Sequence, residues 1–218
     1  AVGTRALEDI TTGDRNVSIG PDAGKDITTG QYNVAIGNWT MGSLTTGVHN
    51  TGIGTNVMAA NTGDYNTAVG STALDTNTTA SNNTAVGYAA LTANTTGQHN
   101  VAVGALTLDA NTTGVQNTAV GKNALSANTT ASYNTAVGQD ALLLNTTGAK
   151  CTGLGQAALN ANTTGADNTA VGYDSGRVNT TGYGNTSLGA YANKQGSGGY
   201  HNVCVGYESG MNMTTGTR

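Results

Sequence analysis

The chain of 218 residues has no phenylalanine, a single proline (Pro21) and two cysteines, and only 9% of its residues are charged. Each scarcity excludes something. Disordered segments need low hydrophobicity with high net charge, and a formal charge of −4 spread over this length does not supply it. No cluster of Lys and Arg is present, so nothing in the chain recruits nucleic acid or an anionic membrane surface. No apolar run approaches the ~20 residues that span a bilayer, and no secretory leader pattern is visible. There is no glycine-rich phosphate loop, no Cys/His cluster and no dense Gly-Asp pattern of the calcium-binding roll type.

What is present is a repeat. Thirteen glycines fall in register: Gly3, Gly20, Gly37, Gly54, Gly70, Gly87, Gly104, Gly121, Gly138, Gly155, Gly172, Gly189 and Gly206. Every step is 17 residues except that from Gly54 to Gly70, which is 16. Such periodicity predicts stacked copies of one small unit, a parallel β-solenoid (β-roll) of about 13 coils forming a single repeat domain over residues 1–218. The chain begins and stops inside the repeat, so it reads as a section of a longer array. Repetition also argues against catalysis, which needs different side chains converging on one place, and no cofactor is expected.

The consensus coil is Asn-Thr-Ala-Val-Gly-x-x-Ala-Leu-x-x-Asn-Thr-Thr-Gly-x-x, as in the copy from Asn83 to His99. Asn-Thr-Ala-Val alternates like a strand. The column of Val2, Ile19, Ile36, Ile53, Val69, Val86, Leu154 and Leu188 is expected to face the core. The Ala85 column, holding Ala, Ser, Gly and Cys, then points the opposite way, where only small side chains are accepted because another copy of the chain packs there. Leu91 and its equivalents supply a second apolar contact, on a segment that suits either a strand or a single helical turn. The Asn94 column exchanges with Ile10, Ile27 and Leu44, so it is expected to face inward as a ladder of stacked amides, with the Asn83 column a second turn or ladder position. The invariant anchor glycine is expected to need positive φ or close backbone approach. The second glycine, which becomes Ala80 and Ala131, does not strictly need it. With about one Val and one Leu buried per coil the core is weak for 17 ordered residues, and association along the small-residue face is the expected remedy.

Cys151 stands in the Asn83 column and Cys204 in the small-residue column three coils on. At ~4.8 Å per coil they lie about 14 Å apart, beyond disulfide reach. His49, His99 and His201 share a variable column before Asn, which reads as an exposed loop rather than a metal site. Tyrosines gather at the turns, Tyr32, Tyr65 and Tyr133 before Asn and Tyr88, Tyr173 and Tyr207 after the anchor glycine, as candidates for stacking on sugars or for covering the edge of the core. The Thr-Thr column offers one outward Thr per coil, without the paired Thr-x-Thr rows that would order water. Seven Asn-Thr-Thr sequences are formal N-glycosylation sites, which inward-facing Asn cannot serve.

The unit, over essentially the whole chain, resembles repeats of phage tail-fibre-like and bacterial surface proteins. Its Val34-Ala35-Ile36-Gly37 strand is similar to the head repeats of trimeric autotransporter adhesins. The resemblance implies a left-handed parallel β-roll, three chains to a rod, and a non-enzymatic structural or adhesive role on a cell surface or virion fibre. The partners implied are further copies of the chain and a host-surface glycan or receptor, with no nucleic acid and no membrane insertion. A subunit of an extracellular filament and an ice- or glycan-binding solenoid remain alternatives.

Overall fold

A computed structural model describes residues 1–211 and 213. The chain is an all-β parallel β-solenoid of about 11 turns of 17 residues, without helix among the described residues. It divides into two compact units, Ala1–Thr113 and Gly114–Arg218, and no change in the repeat marks the boundary. The first unit holds β1 (Val17–Ile19), β2 (Val34–Ile36), β3 (Thr51–Ile53), β4 (Thr67–Val69), β5 (Thr84–Val86) and β6 (Val101–Val103). The second holds β7 (Thr118–Val120), β8 (Thr135–Val137), β9 (Thr152–Leu154), β10 (Thr169–Val171), β11 (Thr186–Leu188) and β12 (Val203–Val205). Counting anchor glycines overstates the number of turns, because strands bound the turns and the coil of Gly3 adds only one isolated bridge, Val2 to Ile19.

Within each unit consecutive strands pair in parallel and in register, Ala68 beside Ala85 and Ala136 beside Gly153. The 16-residue step changes nothing in this register, since Thr51 pairs with Thr67. The shorter coil reads Asn61-Thr62-Gly63, so the missing residue is one Thr of the outer corner. Backbone bonding between coils continues beyond the strands: Leu91 N donates to Thr107 O (3.0 Å), Ala93 N to Asp109 O (3.0 Å) and Thr95 N to Thr112 O (3.0 Å).

The segment carrying Leu91 is neither strand nor helix. It is a run of turns in which Ala89 (φ 54°) and Leu91 (φ 53°) take the left-handed conformation, as do their equivalents Asp140 and Leu142. A non-glycine residue is disfavoured there by roughly 1–2 kcal/mol. What offsets this is burial: Leu74, Leu91, Leu125 and Leu142 are fully enclosed, each gaining about 1.5–3 kcal/mol.

The anchor glycines have φ between 118° and 139°. A Cβ on Gly155 would also stand 2.6 Å from the carbonyl oxygen of Gly172 in the next coil. Positive φ and close approach therefore act together. The second glycine column, for example Gly13 and Gly30, lies outside the left-handed region, so Ala80 and Ala131 carry no φ strain there, although a Cβ on Gly13 or Gly30 would crowd the carbonyl of the next coil as closely as at the anchor glycines.

The orientation of the strand reverses the expectation from the pattern. The middle residue is the buried one: Ala35, Ala68, Ala85, Ala102, Ala119, Ala136 and Ala170 are fully enclosed. The Val, Ile and Leu column points outward, with Leu154 43% and Leu188 46% exposed. Small residues are required because the coil is thin and its own far wall, not a second copy, meets them: a Cβ on Gly153 would come 3.3 Å from Leu142 Cγ. The small-residue face is thus used up inside the chain and is not an interface.

Two amide ladders fill the rest of the interior. In the first, Asn94 Nδ2 donates to Asn77 Oδ1 (2.8 Å) and to Gly97 O of its own turn (2.9 Å), and Asn162 repeats the arrangement with Asn145 (2.8 Å) and Gly165 O (2.9 Å). In the second, Asn100 N donates to Asn83 Oδ1 (2.9 Å), while Asn83 Nδ2 donates to Gly97 O (2.9 Å). Most of these amides satisfy both a neighbouring coil and the carbonyl of a turn, with Asn134 Nδ2 and Asn179 Oδ1 left without a partner, so polar side chains can occupy a core that apolar ones elsewhere would fill. Cys151 replaces one amide of the second ladder; its thiol donates to Gly165 O (3.2 Å), and burial pushes its pKa up to about 11.

Candidate functional site

Once Ala and Leu have turned inward, each strand presents two side chains to solvent. The first row, in the first unit, is Val17, Val34, Thr51, Thr67, Thr84 and Val101; in the second it is Thr118, Thr135, Thr152, Thr169, Thr186 and Val203. The other row runs Ile19, Ile36, Ile53, Val69, Val86, Val103 and then Val120, Val137, Leu154, Val171, Leu188, Val205. Neither row contains a charged residue. Parallel strands at ~4.8 Å spacing give a regular face with Thr or Val first and Val, Ile or Leu last on every strand. Its two edges are set by the Gly-x-x-Asn turn that enters the strand and the anchor glycine turn that leaves it.

The entry edge of the first unit carries a ring stack. Tyr32 lies against His49 (4.7 Å between centroids, 6° between planes), and His49 against Tyr65 (5.0 Å, 7°). The Arg15 guanidinium covers Tyr32 at 5.0 Å. All four residues take left-handed φ of 56° to 58°, so one turn conformation aims one side chain per coil along the same line. His49 and His99 sit on this edge, exposed, and His201 is exposed on the entry edge of the second unit. Among the described residues no group of three or more His, Cys, Asp or Glu could hold a metal ion.

In the second unit the rings concentrate in the last three coils. On the exit edge Tyr173 meets Tyr191 edge to face (5.3 Å, 87°), and Tyr191 meets Tyr207 likewise (5.9 Å, 87°). Lys194 Nζ stands 4.4 Å over the Tyr191 ring and 3.2 Å from the buried carboxylate of Asp174, which Arg177 also approaches (3.4 Å). On the entry edge Tyr183 and Tyr200 stack in parallel (5.2 Å, 4°), with His201 edge-on to both. Gly184 makes room for that imidazole: a Cβ there would stand 2.7 Å from His201 Nδ1.

The structure therefore brings Tyr32 together with Tyr65 through His49, and Tyr173 with Tyr207 through Tyr191, while Tyr88 and Tyr133 join neither group. Tyr183, Tyr191 and Tyr200 were missed by the sequence reading because each is displaced by one position from the usual tyrosine column. Their crowding was nonetheless visible: five of the nine tyrosines lie between residues 173 and 207.

The Asn-Thr-Thr corners divide their hydroxyls. Thr95 and Thr146 Oγ1 donate to the Thr112 and Thr163 carbonyls of the following coil (3.0 Å each), whereas Thr96 and Thr147 point to solvent. The sequon asparagines Asn77, Asn94, Asn111, Asn128, Asn145 and Asn162 are fully buried and are closed to glycan attachment in the folded chain. No helix among the described residues is long and apolar enough to cross a membrane. No protein-family model matches the chain, and neither a curated protein nor a solved structure does.

Proposed function

We propose that the chain is a non-enzymatic structural and adhesive rod, with copies packed side by side, three to an assembly, along the Thr/Val strand face. The observation that carries this reading is the uncharged outward row of Val, Ile and Leu, repeated on every strand. A soluble chain leaves scattered apolar residues exposed, but a line of them along successive strands of each unit is a contact surface. A second copy of the same chain suits it best, because rows of one spacing match rows of the same spacing, and a rotation about the stacking direction places every coil opposite its equivalent. The likeness of the strand to adhesin head repeats supports a left-handed roll and a place on a cell surface or virion fibre, outside the cell.

Light scattering coupled to size exclusion tests the reading. Wild-type chain is expected at three times the monomer mass. Val137→Asp with Leu154→Asp, which puts charge into the exposed row without touching the interior, is expected to release single folded chains with an unchanged circular dichroism spectrum. A wild-type mass of one chain overturns the proposal. In that case thermal hysteresis would be the next measurement, since a lone Thr-x-Val face could order water.

A further inference from the structure

Packing through the strand face has a geometric consequence. Rotation about an axis parallel to the stacking direction, whether twofold or threefold, turns the strand direction with the copy. The entry edge of one copy then meets the exit edge of its neighbour, coil against equivalent coil. In the last coils of the second unit both edges carry rings: Tyr183 and Tyr200 before β11 and β12, and Tyr173, Tyr191 and Tyr207 after β10, β11 and β12. Over the preceding coils of that unit the same turn positions hold Gln, Asn, Ala, Ser, Lys, Asp and Val, with Tyr133 the one ring among them.

We infer that the seam between two copies at these coils is a groove with tyrosine on both walls, and that it binds a neutral hexose glycan. The inference rests on the proposed side-by-side assembly. Exposed tyrosine rings offer flat apolar faces beside hydroxyls, which suits the C–H face and the hydroxyl rim of a pyranose. Tyr207 is 69% exposed and Tyr183 47%, so their surfaces are not spent on the interior of their own chain. Charge points the same way. Lys194 and Arg177 flank the Asp174 carboxylate, and Glu208 stands exposed beside Tyr207, so the exit wall carries two cations and two carboxylates and no net charge, which favours a neutral ligand over a charged one. The regular coil step along each wall places rings in series, which favours a chain of sugars over a single one. No single copy contains this groove, since its two edges lie on opposite sides of its own strand face.

The test uses the whole chain and two double variants. Tyr183→Leu with Tyr200→Leu disarms the entry wall, and Tyr173→Leu with Tyr207→Leu the exit wall; leucine keeps an apolar cover at the edge and removes the stacking face. Binding of hexasaccharides of β-linked glucose and of β-linked galactose is measured by calorimetry, with mass by light scattering on every sample. The wild-type assembly is expected to bind at least one of them, and each variant, at unchanged mass, to lose about tenfold or more in affinity. Co-expression of the two variants is expected to restore binding, because a mixed assembly contains at least one seam whose two walls are both intact. Wild-type affinity in either leucine variant, loss without rescue in the mixed assembly, or no binding by the wild type would overturn the groove while leaving the assembly standing. A single-chain mass for the wild type would overturn the assembly itself, and the groove with it.

Discussion

Replacing one amide in the middle of the buried ladder gives a direct measure of what holds the coils together. Asn145 Nδ2 donates to Asn128 Oδ1 (3.1 Å) and to Gly148 O (2.9 Å), and Asn145 Oδ1 accepts from Asn162 Nδ2 (2.8 Å). Leucine fits the space, since Leu44 and Ile27 stand fully buried in the same column of other coils. Asn145→Leu therefore isolates the polar contribution from the steric one. It leaves Asn128 Oδ1 and Gly148 O without these donors, at about 1–3 kcal/mol for each buried group left unpaired. Asn162 keeps its bond to Gly165 O (2.9 Å), so its loss is smaller. Against this, leucine gains about 1–2 kcal/mol of apolar burial. The net expectation is a loss of about 2–5 kcal/mol, or a fall in thermal midpoint of roughly 5–15 °C at this chain length. Thermal and urea unfolding followed by circular dichroism measure it. A loss below about 0.5 kcal/mol, the scale of an ordinary surface change, would refute the view that the amide ladder is a cohesive element rather than a tolerated filler.

Two further substitutions address other columns. Gly155→Ala combines a φ of 130° with a methyl group 2.6 Å from Gly172 O, and is expected to lose about 3 kcal/mol or more; the same change at Gly148 crowds Gly165 O as closely but carries no φ strain, and Ala131 shows that a methyl group can be admitted in that column, so it is expected to cost less, and equal losses at the two sites would refute the distinction. At Cys151 the folded thiol titrates near 11 against 9.0 for a free one, so the stability it confers is complete below pH 9 and is lost as pH rises to 11, by about 2.7 kcal/mol at most from two units at 1.36 each. The difference in urea midpoint between wild type and Cys151→Ser should shift across that window, with the tyrosines common to both chains cancelling, and a flat difference would show that the thiol is not shielded.

The architecture was legible because every coil repeats the same requirement. Gly87 and its equivalents keep glycine where φ is strongly positive and the next backbone is within contact, so the period is visible in one residue type. Asn94 gave its orientation away by exchanging with Ile27 and Leu44. The strand's two faces could not be told apart in this way. Alternation fixes that Ala85 and Val86 lie on opposite sides, but the usual rule that the larger apolar residue is inside fails when the coil is too thin to hold it. Leu91 already occupies that interior, and alanine fills what remains. The left-handed turns at Ala89 and Leu91 were equally hidden, since neither residue type favours that conformation and only the surrounding ladder of backbone bonds imposes it. The edge sites depend on which rings become neighbours one coil apart, which a list of tyrosine columns does not contain.

The inverted strand also relocates where this chain can vary. Columns committed to the interior, the two amides, the strand alanine and the leucine, are satisfied within and between coils of a single chain, so they carry no information about a partner. The outward strand row is free of that duty, yet it remains apolar from Ile19 to Val205. A chain whose folding needed only inward alanines would gain solubility by placing polar residues on that row, as it does at the Thr corners. On the proposed assembly, Val, Ile and Leu stand on that row because it meets another copy. The turn columns behave in the opposite way, holding Arg15, His49, Asn82, Gln116 and Lys150 at one position without disturbing the left-handed conformation they share. That freedom permits Tyr183, Tyr200 and their neighbours to gather without altering the coil. On the same proposal, ligand chemistry can change at the edges while the strand face stays the same.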